Sequence, residues 1–331
     1  MVIYTPLTLA EIEPHLDGFD IGRAFELSPL EGGTTNSNFR LATDKGNYVL
    51  TILEPDEEAE QIGWLRGYLE MLHNNNLPVP RLLEMSEGEH TFHVKGKKAI
   101  LVPLLKGRVR APCPDTAFAA GAALGKMNSL SDNYPHLTPP PWGVAGLTEK
   151  RQQIHEADLK PDEAAAIGVF DVMASKWQSV QGLPMGVVHS DLFPDNVLFE
   201  GSKVTGVIDF YKAGHDALAY DLAMGLLAWG FDEEGDFNCK NFKRFYSGYA
   251  CARPLSAPEN EALCGLMRRA CATIILMRVL RRQTITANTP SPAGEKSDIT
   301  PQVSSGIRPP LAFVKRMDFI RKARLDDFLN G

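Results

Sequence analysis

Residues 187–210 constrain the fold most, because several short apolar runs are separated there by short polar segments. Val187 and Val188 are typical of a buried strand, after which the chain must turn. Asp191 then stands at the head of a loop. Asn196 opens a second apolar run, and residues 201–203 form a tight turn. The segment therefore predicts a buried strand, a polar loop and a hairpin.

The hairpin brings the chain back antiparallel, which places Asp209 beside Asn196. Phosphoryl transfer to a hydroxyl needs one group that orients the hydroxyl and takes its proton, and Asp191 suits that task. Asn196 and Asp209 offer an amide oxygen and a carboxylate, which are ligands that Mg²⁺ accepts. Taken singly, Asp191 and Asn196 could also be turn-capping residues. The offset of Asp209 favours a phosphoryl-transfer site.

Three nearby polar residues are interpreted as follows. His189 is predicted to hold the loop by hydrogen bonds. Asp221 precedes an apolar helix and is predicted to be its N-cap or a brace for the loop. Asp195 is either a solvated turn residue or a contact to a substrate amine.

A chain of 331 residues exceeds the size at which one hydrophobic core stops growing, so two lobes are expected. The pattern predicts an α+β fold, with a small antiparallel sheet lobe over residues 1–104 and a larger, mostly helical lobe over 105–331. Strands are predicted near 24–27, 39–42, 48–52, 91–94 and 98–103, and helices at 9–16, 56–76, 115–130, 161–181, 221–229, 237–250, 258–282 and 312–329. Residues 284–310 lack periodicity and are expected to be irregular.

The polar turn at residues 31–38 joins the first two predicted strands, where a lid over phosphates would be needed. Glycines permit close backbone approach, and the following hydroxyls and amides can donate to phosphate oxygens. The candidate ATP-binding residues of this turn are Gly32, Gly33, Thr34, Asn36 and Ser37. The turn is neither a Walker motif nor G-x-G-x-x-G, which excludes a P-loop enzyme.

A net charge of −7 and a pI near 5.7 argue against a nucleic-acid or anionic-membrane partner. The N-terminus carries no basic region or cleavage motif, and no apolar run of about 18 residues occurs. The expected location is the cytoplasm, and the sequence leaves the oligomeric state open.

The pattern His189-x-Asp191 with Asn196, followed by Ile208-Asp209-Phe210, resembles the aminoglycoside phosphotransferase-like kinases. Longer stretches are similar to one branch, the bacterial homoserine kinases; they are residues 188–199, 206–211, 220–223 and 47–54. The resemblance implies a bilobal protein-kinase-like fold and the use of ATP and Mg²⁺. A protein kinase is disfavoured because Phe210 precedes tyrosine rather than glycine, and no activation segment separates Asp209 from the next predicted helix.

The resemblance also implies roles for individual residues. Asp191 would orient and deprotonate the hydroxyl, Asn196 and Asp209 would hold Mg²⁺, and Pro103 and Leu105 would receive adenine at the hinge. Three departures stand out. Thr51 occupies the place where most relatives have a phosphate-steadying lysine, Ser190 replaces a frequent glycine, and Asn128 replaces a frequent histidine.

The implied reaction is phosphorylation of L-homoserine in threonine biosynthesis. Homoserine is a zwitterion, so its binding site needs a cation for the carboxylate and acids for the amine. Asp195, Tyr211 and Arg278 are candidate substrate residues, and Arg278 is one of five arginines on a predicted helix with Arg268, Arg269, Arg281 and Arg282. Alternatives are a kinase for an aminoglycoside, choline, methylthioribose or hydroxylysine, or a catalytically silent nucleotide-binding regulator. The acidic residues 232–236 would suit a cationic antibiotic. The silent regulator is considered because Thr51 stands where most relatives have the phosphate-steadying lysine.

Overall fold

The computed structural model of the chain describes residues 4–30, 35–54, 56–132, 134–135, 138–174, 182–288, 310–322 and 325–330. These residues divide into two compact units. The first contains the described residues from 4 to 107 together with Thr205–Tyr211, and the second contains the others. The sequence boundary after residue 104 assigned Thr205–Tyr211 to the second lobe. The segment packs instead in the first unit, where Val207 N donates to Pro78 O at 2.8 Å.

The first unit is a five-stranded sheet whose pairings are all antiparallel, with strand order β1-β2-β3-β5-β4. Its elements are α1 (Leu9–Leu16), β1 (Ala24–Pro29), β2 (Ser37–Thr43), β3 (Gly46–Ile52), α2 (Asp56–Asn74), β4 (Phe92–Val94) and β5 (Lys97–Pro103). Buried residues of the sheet, among them Leu41, Leu50 and Leu101, form its core with Ile12 and Leu16 of α1. The predicted sheet lobe is confirmed.

The second unit is mostly helical. Its helices are α3 (Pro114–Ser131), α4 (Val144–Gln152), α5 (Pro161–Ala174), α6 (Leu218–Trp229), α7 (Cys239–Ala252), α8 (Ala257–Asn288), α9 (Leu311–Lys322) and α10 (Leu325–Asn330). Four short strands interrupt them: β6 (Met185–Val188), β7 (Val197–Glu200), β8 (Lys203–Val207), which continues into the first unit, and β9 (Gly214–Ala217). Every residue of α6 is buried, as expected of a helix that is apolar on all sides.

Several predicted elements differ from the structure. Helix α4 and strand β9 were not predicted, since neither has a clear apolar period. Helix α8 continues through residues 284–288, which were expected to be irregular, and the helix predicted at 312–329 is described as α9 and α10. Residues 175–181 and 289–309 lie outside the described chain. Among the helices that the structure describes, none is long and apolar enough to cross a membrane.

Candidate active site

Strand β6 leads the chain into the predicted catalytic loop. Val187 and Val188 are fully buried, and β6 pairs antiparallel with β9 so that Val188 faces Gly214. The chain turns directly after β6, and Ser190 has a φ of 63°, in the left-handed region. Such a conformation costs a non-glycine residue roughly 1 kcal/mol, so the surrounding contacts must hold it. The turn presents Asp191 at the end of the two-stranded sheet.

Asp191 and Asn196 are in direct contact. The Asn196 Nδ2 donates to the Asp191 backbone oxygen at 2.8 Å and lies 3.4 Å from Asp191 Oδ2. Because the amide nitrogen donates to Asp191, a cation at Asn196 would be held by the amide oxygen. Trp229 Nε1 fixes the loop between them by donating to Leu192 O at 2.9 Å. The loop is thus held at its backbone, and its two functional side chains are held to each other.

His189 and Asp221 support this loop. The Asp191 N–H donates to His189 Nδ1 at 3.2 Å, which makes Nδ1 an acceptor and places any ring proton on Nε2. The Asp221 carboxylate accepts from His189 N at 2.8 Å and from Ser190 N at 2.9 Å. The prediction of a brace therefore agrees with these contacts. The N-cap reading of Asp221 is wrong, because Asp221 lies within α6 and the helix begins after Ala217.

Asn128 and Tyr249 complete the polar network beneath the loop. Asn128 Nδ2 donates to Asp221 Oδ2 at 2.9 Å, and Tyr249 OH donates to Asn128 Oδ1 at 2.9 Å. Burial raises the pKa of the Tyr249 phenol, so the hydroxyl remains a neutral donor. Burial also raises the pKa of Asp221, and the nearby His189 and Asn128 partly offset this. Asn128 thus stands where a histidine was expected, and its amide joins two buried groups.

Asp209 stands directly after β8, in the first unit. Its φ of 66° is left-handed, and it precedes a single 3₁₀ turn at Phe210–Lys212. Phe210 is buried and contacts Tyr68 of α2 edge to face, with ring centroids 6.4 Å apart. Strained backbone conformations concentrate at functional sites. The pairing of Asp209 with Asn196 around one ion stays a prediction.

The candidate ATP-binding turn is described only in part, because Gly32, Gly33 and Thr34 lie outside the described residues. Asn36 and Ser37 are buried beside the sheet. The Ser37 hydroxyl donates to Glu54 Oε1 at 2.5 Å and accepts from Tyr4 N at 2.9 Å. Asn36 Oδ1 accepts from Glu54 N at 3.0 Å. These side chains fix the base of the turn, so their hydroxyl and amide oxygen are directed at protein groups.

Two further predicted features of the first unit lie along β3 and β5. Thr51 is buried, and its hydroxyl donates to Asn38 Oδ1 of β2 at 2.7 Å. The position of the expected lysine therefore holds a neutral hydrogen bond. Pro103 is the last residue of β5 and pairs with Tyr48, and Leu105 follows, half-buried.

The candidate substrate residues lie on three different elements. Asp195 is exposed in a 3₁₀ turn, and Tyr211 is half-buried in the turn that follows Asp209. The Arg278 guanidinium lies 4.4 Å from the ring centroid of Phe313 in α9. Their roles in substrate binding stay predictions.

Two of the five candidate arginines are structural. Arg269 forms a buried ion pair with Asp216 of β9, and its guanidinium lies 3.9 Å from the ring centroid of Tyr220. Arg282 binds both carboxylate oxygens of Glu163, at 2.5 and 2.7 Å. A guanidinium that already binds a buried carboxylate is not available to a substrate carboxylate. The candidate arginines for the substrate carboxylate are therefore Arg268, Arg278 and Arg281.

Lys212 is a residue that the sequence reasoning missed. Its Nζ lies 2.6 Å from Asp191 Oδ2, and the two side chains are 15% and 14% exposed. The antiparallel pairing could have revealed it. Asp191 follows the end of β6 and Lys212 precedes β9, so both lie at the same end of that strand pair.

The site carries no ready-made metal cage. Among the described residues, no three His, Cys, Asp or Glu side chains form a metal-binding group. Mg²⁺ does not need one, since it takes one or two protein oxygens and completes its shell with water and phosphate. The Asn196 amide and the Asp209 carboxylate are donors of the required kind. Their chemistry therefore fits a magnesium–nucleotide ligand.

An antiparallel sheet unit, followed by a helical unit that carries an Asp–Asn loop, defines the class of kinases that share the protein-kinase-like fold. The chain belongs to the phosphotransferase enzyme family, whose model matches residues 26–255. It is 34% identical over 286 residues to a homoserine kinase of Xanthobacter autotrophicus, covering 85% of this chain and 88% of that protein. It is 36% identical over 284 residues to a homoserine kinase of Caulobacter vibrioides, covering 84% and 89%.

Solved structures share the fold at low sequence identity. An amicoumacin kinase in complex with AMP-PNP, Ca²⁺ and its antibiotic superposes with a TM-score of 0.69 at 13% identity, covering 96% of this chain and 95% of that one. A microcompartment-associated aminopropanol kinase has a TM-score of 0.66 at 14% identity, covering 97% and 99%. These likenesses confirm the predicted fold class.

Proposed function

We propose that this chain is a homoserine kinase, which transfers the γ-phosphoryl group of ATP to the side-chain hydroxyl of L-homoserine. The observation that carries the proposal is the identity of 34–36% to two homoserine kinases across 84–85% of the chain. The product, O-phosphohomoserine, is the form that threonine biosynthesis uses. The loop geometry supports the chemistry of this reaction.

The hydroxyl oxygen of homoserine attacks the γ-phosphorus of ATP. An oxygen–phosphorus bond forms to the acceptor, and the bond from the γ-phosphorus to the bridging oxygen of ADP breaks. The hydroxyl proton passes to the Asp191 carboxylate and then to solvent. The hydrogen bonds that the structure gives this carboxylate, from Lys212 and Asn196, both reach Oδ2. We therefore assign Oδ1 as the oxygen that meets the hydroxyl.

Bound Mg²⁺ would neutralise phosphate charge, and Asn196 and Asp209 would be its protein ligands. The backbone of the turn with Gly32, Gly33 and Thr34 would cover the phosphates. Adenine would bind where β5 ends, against the segment with Pro103 and Leu105. Because ATP and Mg²⁺ enter together, the net charge of the protein does not oppose their binding.

The remaining roles concern homoserine. Asp195 immediately precedes Asn196, and Tyr211 lies two residues beyond Asp209. These two residues would contact the amine and the chain of homoserine. A cation must meet the substrate carboxylate. Arg278 remains a candidate for this task, and its guanidinium lies 4.4 Å from the ring centroid of Phe313.

The nearer alternative is a kinase for another small hydroxyl compound, such as an aminoglycoside, choline, methylthioribose or hydroxylysine. The acidic cluster that would attract a cationic antibiotic has other contacts. Asp236 pairs with Lys315 at 2.6 Å, and Asp232 Oδ1 accepts from the Asp236 N–H at 2.7 Å. These contacts favour the amino-acid substrate. A silent regulator is disfavoured because Asp191 and Asn196 are assembled.

The test is ATP consumption with Mg²⁺ in the presence of homoserine, hydroxylysine, choline, methylthioribose or kanamycin. We expect turnover with homoserine and formation of phosphohomoserine, detected by mass. Turnover of kanamycin or choline without homoserine would exclude the proposed substrate.

Asp191→Asn provides the mechanistic arm of that test. We expect kcat to fall at least about 10²-fold, because the variant cannot take the hydroxyl proton. Asp162→Asn, which changes an exposed aspartate of α5, is the matched control. Near wild-type turnover by Asp191→Asn would remove the mechanism.

A further inference from the structure

The backbone on both sides of Lys212 fixes the position of this residue beside Asp191. Phe210, at the start of its turn, is buried, and Ala213 after it is also buried. Strand β9 then begins at Gly214, which pairs with Val188 of β6. Asp191 lies three residues beyond Val188 along the chain. The strand pair therefore fixes both residues at one end, and Lys212 Nζ reaches Asp191 Oδ2 at 2.6 Å.

This ion pair differs from the structural ion pairs of the same unit. Arg282 binds both oxygens of Glu163 with side chains that are nearly inaccessible, which is the fork geometry that suits arginine in a core. Lys212 is a point charge, contacts one carboxylate oxygen, and lies at a partly open position. A contact to one oxygen orients a carboxylate without occupying its other oxygen.

The orientation matters because Asp191 needs a defined oxygen for the acceptor hydroxyl. Lys212 Nζ and Asn196 Nδ2 approach the same oxygen, Oδ2. Both contacts use Oδ2, so they hold the carboxylate without engaging Oδ1. A base that is oriented in advance loses less entropy on reaching the transition state.

The charge matters as well. Phosphoryl transfer places a triphosphate next to the carboxylate of Asp191, and two negative groups repel each other in a site of low dielectric. In most related kinases a lysine at the position of Thr51 supplies positive charge. Here the Thr51 hydroxyl makes a neutral hydrogen bond to Asn38. The ammonium group of Lys212, which contacts Asp191, reduces this repulsion.

We propose that Lys212 is a positioning residue of the reaction: its ammonium group holds Asp191 with Oδ1 toward the acceptor hydroxyl and offsets the charge of that carboxylate beside the nucleotide. This role rests on the proposed kinase activity and deepens it. It acts through Asp191, so the effect of removing Lys212 depends on whether Asp191 is present.

The experiment is a double-mutant cycle with Lys212→Met and Asp191→Asn, measured as kcat and as KM for ATP and for homoserine. We expect Lys212→Met to lower kcat about 10- to 100-fold, with both KM values within about threefold, because the lost interaction matters most in the transition state. In the Asp191→Asn background the same change should alter kcat less than about threefold, since residues that act as one unit are not additive.

Two further variants separate charge from packing. Lys212→Arg keeps the charge and should retain at least about a tenth of the wild-type kcat. Lys126→Met, a change of an exposed lysine on α3, should leave kcat unchanged. Thermal unfolding of each variant checks that the fold persists. If Lys212→Met unfolds at the assay temperature, Lys212→Gln replaces it, and unfolding of both would contradict the proposal.

Other outcomes also decide the matter. A wild-type kcat for Lys212→Met, or a change confined to the KM for homoserine, would overturn the assignment. A full loss in the Asp191→Asn background would show that Lys212 acts on the phosphates directly. If the wild-type protein does not turn over homoserine, the proposed function fails, and the cycle is then run with whichever acceptor of the panel is phosphorylated.

Discussion

The two units place their charged groups differently. In the first unit, ion pairs such as Lys45–Asp20 lie on the surface, with side chains 52% and 94% exposed. In the second unit, Arg269–Asp216 lies in the core, with side chains 4% and 8% exposed. A small antiparallel sheet can be stabilised by its register and one apolar face, so its surface charges add little. A helical unit that buries charge depends on keeping every such group paired.

The largest expected effect follows from breaking one pair in each unit. Arg269→Met leaves the buried carboxylate of Asp216 without its cation and should lower the free energy of unfolding by about 3–5 kcal/mol. Lys45→Met should cost about 0–1 kcal/mol, because water replaces the lost partner. Urea unfolding of both variants measures the difference. Equal costs would contradict the comparison, and adding Asp216→Asn to Arg269→Met should recover part of the loss.

A second comparison concerns helix glycines. A Cβ built at Gly121 of α3 would lie 2.1 Å from the backbone oxygen of Phe245 in α7, whereas one at Gly63 of α2 would meet nothing within 4 Å. We expect Gly121→Ala to destabilise the protein by about 3 kcal/mol, because two backbones must separate. Gly63→Ala should stabilise it by about 0.5–1 kcal/mol through helix propensity. The unfolding midpoints of the two variants should therefore shift in opposite directions, and a shared direction would be evidence against close packing of α3 on α7.

A third comparison removes one hydroxyl that donates to an asparagine in each unit. Tyr249→Phe leaves the oxygen of Asn128 unpaired in the core and should cost about 2 kcal/mol. Thr51→Val should cost about 0.5–1 kcal/mol, since Asn38 is only half-buried and its oxygen can turn to water. Thermal unfolding tests both. A larger cost for Thr51→Val would mean that this hydrogen bond carries more of the sheet than its exposure suggests.

The smallest effect is a pH dependence at the start of α1. A hydrogen bond from Lys95, together with those from Thr8, lowers the pKa of Glu11 from 4.5 to about 2. A depressed carboxyl pKa contributes stability above the unfolded-state pKa and loses it as the pH falls through the folded-state pKa. The wild type should therefore melt slightly above Glu11→Gln at pH 6, and the two should converge as the pH falls from 4.5 toward 2. A gap that persists at pH 2 would mean that packing, not charge, links Glu11 to α1.

The sequence predicted local elements best where one period dominated. Helix α1 begins at Leu9 and ends at Leu16, as predicted, because Thr8 and Glu11 form a capping box there. The strands were predicted within a few residues. Helix α4 was missed, since its residues follow a proline-rich stretch and have no apolar stripe. The apolar residues of α6 predicted a helix, but its first turn at Leu218 was missed, and with it the true position of Asp221.

The candidate catalytic and metal-binding residues were predictable as types and spacings, since proton transfer and magnesium binding demand an acid, an amide and a second acid. Their neighbours were not. Tyr249 lies 121 residues beyond Asn128, and no local pattern indicates that the two share a hydrogen bond. Lys212 was missed because its partner lies 21 residues earlier in the chain, on the other side of a hairpin.

The sequence alone determined most of the strands and helices in their order, the loop with Asp191 and Asn196, and the kinase family. It could do so because periodicity, turn chemistry and reactive motifs all depend on residues that are close together in the chain. Only the tertiary structure decided that Arg269 and Arg282 are bound to buried carboxylates, that Asp221 braces the loop from within α6, and that Lys212 holds Asp191. Those assignments depend on which distant groups meet in a low-dielectric interior, where each buried charge must find a partner.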